Sequence, residues 1–399
     1  KKIVAVIKND VVIVGGGLVG LFLSYFLGKL GLSISIVDKE NITASYSINK
    51  DLRTTAISEG SKVILDSYGV WKKIKNYAQP IKYINVFDRS DHSKISFKNS
   101  KKNNFLGYII KNQILKKTLI DEIKDNKKIR ILDQSPVQNI ETSNDFVFVS
   151  TKKTNLYASL LVAADGRGSY VRKILKQPFF TKKYDHNALV VNFSHTKSHN
   201  NTAYEIFYDS GPLATLPMAK ELKNNNYSSL VWSHNPKFIK SLSNVDNNLL
   251  SLIIDEHTEK YLGKINKIIS KQFFSLSSHI NSSFYNNRLV YVGDAAHSIH
   301  PIAGQGWNLG MRDIDELYKI IDKAIFLGID LGSNFVCEKY QKKRYFDAFS
   351  LYQITDKLNS IFIFDNIGSK IFRKIGFDII NKNKILNSKI SNYAMGKKL

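Results

Sequence analysis

The chain has 399 residues, of which 43% are hydrophobic and 12% aromatic, which excludes a disordered segment and allows two or three structural units with their own cores. Lys plus Arg number 58 against 34 Asp plus Glu, a formal charge of +24 that permits nucleic acid, anionic lipid or small anions as partners without specifying a fold. The basic residues form no stripe. They fall in short scattered clusters (Lys72, Lys73, Lys75; Lys98, Lys101, Lys102; Lys124, Lys127, Lys128; Lys342, Lys343, Arg344), the pattern of a solvated surface. Lys, Asn and Ile are abundant throughout, as compositional drift produces, so no nucleic-acid partner is expected. The single Cys337 excludes an intrachain disulfide and any CxxC site and fits a reducing compartment.

Along the chain, Lys8 and Asp10 interrupt the N-terminus before any apolar run long enough for a secretory signal. Val11 to Gly28 is uncharged over 18 residues, enough to raise the question of a membrane span. Four glycines (Gly15, Gly16, Gly17, Gly20) break its first half and Val11 to Val14 favours β, so it reads instead as strand, glycine turn and helix. That helix runs from about Leu18 to Leu30, is stopped by Gly31, and leads to a strand from Ser33 to Val37 ending at Asp38. A βαβ unit of this kind implies a parallel sheet covered on both faces. Ile129 to Leu132 and Phe146 to Ser150 are short β-like runs, and Leu156 to Ala164 reads as a buried strand that delivers Asp165. Between Tyr184 and Trp232 several β-rich pieces (Ala188 to Ser194, Tyr204 to Tyr208, Ser229 to Trp232) suggest an antiparallel sheet inserted into the α/β body. Arg288 to Val292 is again a strand, feeding Gly293 and Asp294; a helix follows from Trp307 to about Ala324, closed by Gly328, and the rest reads as helical.

Three motifs carry chemistry. Gly15, Gly17 and Gly20 form a GxGxxG turn in the required context, after a strand, opening a helix, with Asp38 eighteen residues on at the end of the next strand. Gly15 makes the tight turn, Gly17 lets a pyrophosphate approach the backbone, Gly20 lets the helix pack closely, and the helix N-terminus offers unpaired N–H groups to phosphate. Asp38 is placed to accept from a ribose, which favours FAD or NAD over a 2′-phosphorylated nucleotide. A second constellation runs from Arg288 through Gly293, Asp294, His297 and Pro301 to Gly304, Gln305, Gly306 and Asn308, placing a carboxylate at the carboxyl edge of the sheet and a helix N-terminus beside it. His297 and His300 lack a third ligand at metal spacing and read as turn and packing residues, so no metal is expected. The third motif is Asp165-Gly166 with Arg167 to Arg172; alone it is an ordinary turn.

In this order and at these spacings the three motifs resemble the flavin-dependent aromatic hydroxylases typified by p-hydroxybenzoate hydroxylase. The stretches Asp51 to Ser58, Gly211 to Pro217, Ser229 to Trp232, His297 to Gly310 and Ala394 to Gly396 are similar to the ubiquinone-biosynthesis hydroxylases within that group. The resemblance covers essentially the whole chain. It implies that the Gly15 to Gly20 turn holds the FAD pyrophosphate, Asp38 the adenosine ribose and Asp294 the ribityl and phosphate region, with Asp165 and Gly166 near FAD and concerned with NAD(P)H use. Arg53 would approach the isoalloxazine, and the Val137 backbone would lie near the adenine. The family usually has Asn-Arg where this chain has Asn112-Gln113; by the resemblance Gln113 would still be able to hydrogen-bond the flavin phosphate or ribityl region, with the loss of a positive charge.

The whole chain is accordingly expected to be an α/β protein with a discontinuous Rossmann-like FAD-binding domain (1–75, 105–178 and 288–330). A substrate domain with an antiparallel β-sheet (76–104 and 179–287) is inserted into it and a helical region (331–399) appended. The implied activity is monooxygenation: flavin reduced by NAD(P)H reacts with O2 to a C4a-hydroperoxide, which hydroxylates a polyprenylated phenol or benzoquinol. With only one nucleotide fingerprint, NAD(P)H would bind transiently. Residues 361–377 mix large apolar side chains with Lys370, Arg373 and Lys374, as either an interfacial helix or a core-packed helix with a solvated basic edge does; the first reading suggests a cytoplasmic protein touching the inner membrane face and a quinone-biosynthesis complex. Two rivals remain: a FAD-dependent prenyl-lipid reductase or oxidase of the same fold, and a flavin-bound scaffold without turnover. A halogenase is disfavoured because no WxWxIP segment occurs.

Overall fold

A computed structural model describes residues 5–43, 52–89, 94–99, 105–220, 225–300 and 304–363, with the isolated positions 379, 380, 383, 388 and 390. The chain opens with strand β1 (Ala5–Val14), helix α1 (Leu18–Gly28) and strand β2 (Ile34–Val37). β1 begins six residues before the apolar run, because Ala5 to Asn9 gain a parallel partner in Thr154 to Ala158 that hydropathy does not signal. Leu21, Phe22, Leu23, Phe26 and Leu27 of α1 are completely buried, each contributing about 2 kcal/mol of transfer free energy.

The next stretch supplies β3 (Thr54–Ser58), α2 (Glu59–Ser67), α3 (Trp71–Ile74), β4 (Gln79–Ile81), β5 (Tyr83–Asp88), β6 (Lys94–Lys98), β7 (Gly107–Lys111) and α4 (Asn112–Lys124). After β8 (Ile129–Leu132), β9 (Val137–Thr142), β10 (Val147–Thr151), β11 (Thr154–Ala163) and α5 (Tyr170–Ile174), the chain enters four long strands. These are β12 (Phe179–His195), β13 (Thr202–Tyr208), β14 (Gly211–Met218) and β15 (Asn226–His234), followed by α6 (Pro236–Ser243), α7 (Asn247–Leu262) and β16 (Ile265–Asn281). It returns through β17 (Tyr285–Asn286), β18 (Leu289–Tyr291) and β19 (His297–Ser298) to α8 (Gly306–Phe326) and α9 (Asn334–Ile363).

Three sheets result. The first has the order β17-β18-β11-β1-β2-β8 and is parallel from β18 to β8. β11 is shared lengthwise: its first half pairs with β10 of the antiparallel β9–β10 pair and its last three residues with β18. Val11 to Val14 and Ile34 to Val37 are all buried, as strands covered on both faces must be.

The second sheet, β19-β16-β12-β15-β14-β13-β5-β6, is antiparallel except for one pair, since β5 joins β13 in parallel. The antiparallel insert expected from the sequence is present, with one parallel neighbour added: β5 comes from a distant segment, and its direction is set by how that segment crosses the molecule. One face of this sheet buries Leu189, Val191, Phe193, Leu230 and Trp232 together with Ile239, Leu250 and Ile254 of α6 and α7. The other face, through Ala203, Leu216, Met218 and Tyr227, meets the small third sheet β3-β7-β4 at Ala56, Ile81 and Ile109.

A second correction concerns the basic clusters. Arg344 is not part of a solvated patch: it is 5% exposed, and its Nε donates to Asp313 Oδ1 at 2.7 Å while Nη1 donates to Asp347 Oδ2 at 2.6 Å. Arg312 closes the network on Asp347 at 2.7 and 2.8 Å, tying α8 to α9. Removing one partner of a buried pair strands the other charge, whereas an exposed pair contributes little. Arg344→Ala is therefore expected to lower unfolding free energy by about 3 to 5 kcal/mol in urea titrations. Lys73→Ala, which breaks the more exposed pair with Glu122, should cost less than about 1 kcal/mol.

Candidate functional site

The carboxyl ends of β1, β2, β11 and β18 lie side by side, and the loops leaving them form one edge. Backbone bonds fix this: Ala164 N donates to Val14 O at 2.8 Å, Gly15 N to Val37 O at 2.8 Å and Val292 N to Ala163 O at 2.9 Å. Gly15 has φ +112°, and a Cβ there would lie 2.3 Å from Ala164 O, so only glycine fits. A Cβ on Gly20 would meet Gly15 O at 1.9 Å, which is how α1 comes down onto the turn. Gly293 and Gly310 in turn pack on Val19, bringing the second motif against the first.

Gly17 differs from its neighbours. It is the N-cap of α1, its φ of −72° suits any residue, and nothing lies within 4 Å of where a Cβ would point. No side chain caps this helix end, so its first N–H groups face an open cradle. Asp38 closes one side: its Oδ2 accepts from Gly16 N at 2.6 Å and Oδ1 from Glu40 N at 2.8 Å, each oxygen keeping a lone pair for a hydroxyl. Ser135 N donates to Asp38 O at 2.7 Å, which brings the Val137 end of β9 beside Asp38.

Asp165 Oδ2 accepts from Tyr170 N at 2.7 Å and Val171 N at 3.0 Å, so one carboxylate oxygen caps α5, while buried Oδ1 has no partner among the described residues. Burial raises its pKa, and the hydrogen bonds from the α5 end act the other way. Asp294 is likewise pushed up by desolvation, with Arg167, His297 and Arg53 pulling it down. Arg53 and Gln113 are neighbours because β3 and β7 pair Thr54 with Lys111, and Arg53 lies over the Phe274 ring at 5.9 Å. Ala56, three residues on, would touch a Cβ on Gly304 at 3.3 Å.

The structure thus brings Gly15, Gly17, Gly20, Asp38, Val137, Asp165, Gly166, Gly293, Asp294, Gly304, Gln305 and Gly306 to one edge, with Arg53, just before β3, near enough to act on Asp294, and Gln113 in the first turn of α4, just after β7. Asn308 serves the scaffold instead. Its Oδ1 accepts from Ser58 N at 2.9 Å and its Nδ2 donates to Ala56 O at 2.9 Å and Gly304 O at 3.2 Å, so the side chain clamps α8 to β3. Pro301 lies outside the described residues.

Sequence reasoning missed several supporting groups. Asp313 is fully buried in α8; it accepts from Gly293 N at 3.0 Å and His297 Nε2 at 2.6 Å, and so anchors the Gly293–Asp294 turn from below. Burial alone would raise this carboxyl, but His297 and Arg344 outweigh it and hold it down at about 2. Its only sequence signal is an acid beside Ile314 within the apolar stripe of α8. Arg172, 7% exposed, holds Ala295 O at 3.1 Å and Arg167 O at 2.5 Å and lies 2.9 Å from His279 Nε2. Burial and Arg172 depress His279 to about 3, which leaves it neutral. On the inner face of the second sheet, desolvation raises Glu205 to about 7. Among the described residues no group of His, Cys, Asp and Glu has the arrangement of a metal site.

Residues 8–326 match the family model for the FAD binding domain, and the chain belongs to that family. Over 97% of this chain and 89% of the relative it is 30% identical to ubiquinone hydroxylase UbiL of Rhodospirillum rubrum. It is 26% identical to the 3-demethoxyubiquinol 3-hydroxylase of Escherichia coli, over 97% of this chain and 98% of that protein. Among solved structures, p-nitrophenol 4-monooxygenase PnpA from Pseudomonas putida matches with a TM-score of 0.80 at 17% identity, covering 99% of this chain and all of that one, which shows the fold.

Two substitutions separate cradle from scaffold. Gly17→Val should leave the circular dichroism and melting temperature of the apoprotein unchanged yet weaken FAD binding at least about tenfold in a fluorescence titration. Gly20→Ala, with backbone in its way, should lower both stability and FAD content. A third prediction concerns Glu205: a carboxyl with a raised folded pKa binds its proton more tightly when folded, so its contribution is lost as pH rises from the unfolded value of 4.5 through about 7. Glu205→Gln is expected to melt above the parent at pH 8, with the gap closing below about pH 4.5 in a thermal-shift series.

Proposed function

We propose that this chain is an FAD-dependent monooxygenase that hydroxylates the ring of a polyprenylated phenol or benzoquinol in ubiquinone biosynthesis. The observation that carries this reading is similarity over nearly the whole chain to ubiquinone-ring hydroxylases, in a molecule whose FAD-type edge faces the inner side of a largely apolar sheet.

The open cradle at Gly17 fits a pyrophosphate, and Asp38 with its spare lone pairs fits a ribose. Asp294 and Gln113 would take the ribityl and phosphate region, the Val137 backbone the adenine, and Arg53 the edge of the flavin ring. Gly304 to Gly306 bring the N-terminus of α8 to the same edge, where its positive end would stabilise negative charge on the ring. When bound, FAD would supply the redox chemistry, namely hydride uptake from NAD(P)H and activation of O2 for insertion of one atom into an electron-rich ring. The protein binds, orients and keeps water out. Val190, Ala214, Leu216 and Val231 on the inner sheet face supply an apolar floor for the prenylated ring.

The grouping of β1, β2, β8, β11 and β18 in one sheet and β12 to β16 with β5 and β6 in another supports a division into an FAD domain (1–75, 105–178, 288–330), a substrate domain (76–104, 179–287) and a helical region (331–399). No described helix is long and apolar enough to cross a membrane. Contact of 361–377 with the cytoplasmic membrane face, and membership in a quinone-biosynthesis complex, belong to this proposal; residues 364–377 lie outside the described residues.

Purified protein should carry flavin absorption bands, consume NAD(P)H faster with a prenylated phenol, and place one labelled atom from O2 in the product by mass spectrometry. Reductant consumption without label would replace the hydroxylase by a reductase or oxidase, and a colourless protein that takes up no FAD would remove both. A chain ending at Ser360 should pellet less with anionic liposomes than the full chain does; equal pelleting would remove the membrane contact.

A further inference from the structure

The side chains of β13 alternate between two environments. Tyr204, Ile206 and Tyr208 join the core under α6 and α7, whereas Ala203 belongs to the cluster with Ala56 and Leu216 on the face turned to the third sheet. Glu205, two residues beyond Ala203, stands on that same inner face. Its row is apolar: Val86 on β5 and Ala214 on β14 flank it, with Val231 on β15 and Val190 on β12 beyond. No hydrogen bond or ion pair joins its carboxyl to a described residue, and desolvation alone acts on it. Yet Glu205 is not sealed, for it keeps intermediate exposure. Glu205 is thus desolvated yet partly exposed, and its neighbour on β14 is the small Ala214.

Two further polar atoms on this face are buried and lack partners among the described residues: Asn192 Oδ1 and Ser229 Oγ, which face one another across β12 and β15. From the register they lie about 12 Å (Ser229) and 16 Å (Asn192) from Glu205, two or three strands over and two residues along. The inner face therefore has an apolar floor with unanswered polar groups at both ends. Its opposite wall contains Ala56, which touches the Gly304 turn at the start of α8. Buried polar groups without partners are costly to folding, and such groups on the one sheet face that carries Glu205 point to a ligand that completes them.

We propose that Glu205 accepts the proton of a ring hydroxyl on the aromatic substrate, holding the ring through that hydrogen bond and making it electron-rich for oxygen insertion. This rests on the hydroxylase reading above. In the step the O–H bond breaks, its electron pair stays on the phenolic oxygen, and the proton passes to a carboxylate oxygen of Glu205; it returns when the product leaves. A carboxyl with a pKa near 7 matches a phenol, whose own value is about 10, far better than an ordinary glutamate does.

The test uses the FAD-loaded enzyme with three probes: a 2-prenylphenol, its methyl ether, and a ring-fluorinated 2-prenylphenol already ionised at neutral pH. Glu205→Gln should lower kcat for the 2-prenylphenol about 100-fold and raise its KM by no more than about tenfold, and Glu205→Asp should restore part of the rate. The ionised probe should erase most of the Glu205→Gln defect, which loss of packing would not do. In the parent the rate should rise with pH through about 7, and Glu205→Gln should lose that limb. Among the described residues, Asp88, Lys111, Tyr184, His186, Tyr227 and Asp356, together with Arg53, are ionisable groups on the elements around this face, and all are unchanged in that variant. Binding is read separately from the flavin absorbance change: the parent should prefer the phenol to its ether about tenfold or more, and Glu205→Gln and Glu205→Ala should lose the preference. Parental rates in Glu205→Gln, or a defect equally large with the ionised probe, overturn the assignment while leaving the hydroxylase intact. If the parent hydroxylates none of the probes, the hydroxylase reading fails, and binding decides: equal parental affinity for phenol and ether overturns Glu205, and a preference that Glu205→Gln abolishes supports it as the hydroxyl-binding group.

Discussion

The site depends on one close contact, that of the Gly15 backbone with the Ala164 carbonyl at the carboxyl edge of the parallel sheet. A Cβ at Gly15 would lie 2.3 Å from that oxygen, so the turn after β1 can lie flat against the end of β11 only because no side chain is there. Everything else is stacked on this contact. Gly20 brings α1 onto Gly15, Val19 on α1 receives Gly293 and Gly310, and Asp313 beneath pins the Gly293 N–H. Three loops separated by more than a hundred residues thereby share one edge, and the cradle at Gly17 is the space they leave.

The electrostatics of this edge are local. A formal charge of +24 surrounds the molecule, but the groups at the site are desolvated acids whose protonation is set by a few neighbours. Asp313 is held ionised by His297 and Arg344, whereas Asp165, Asp294 and Glu205 are pushed up by burial. The first of these is structural, answered by donors from three elements. The others keep unused acceptor capacity, which costs stability and is sustained by the packing around them. The same division separates Asn308, whose amide is fully engaged in clamping α8 to β3, from Gly17, which touches nothing.

Much of the α/β body was legible in the sequence, because its signals are short-range. A β-favouring run, a GxGxxG turn and an acid at the next strand end lie within Val11 to Asp38, and each reports on its own neighbours. The end of the Trp307 helix was legible for the same reason. Reading failed where the partner came from far away: the Ala5 to Asn9 extension of β1 exists only because Thr154 to Ala158 pairs with it, and the parallel entry of β5 depends on where β13 lies. Arg344, grouped by sequence with the exposed lysines beside it, faces inward because Asp313 and Asp347 are there to meet it.

The sequence by itself determined the nucleotide turn, the order of the three motifs and the resemblance they carry, since glycine spacing and strand-end acids act through local backbone geometry. Only the tertiary structure decided which polar groups are spent on the fold and which are left to a ligand. Asn308 and Glu205 look equally free in the sequence. One finds three backbone partners from Ala56, Ser58 and Gly304, and the other finds none among the described residues, because hydrogen-bond satisfaction is a property of what the fold brings near and not of the residue itself.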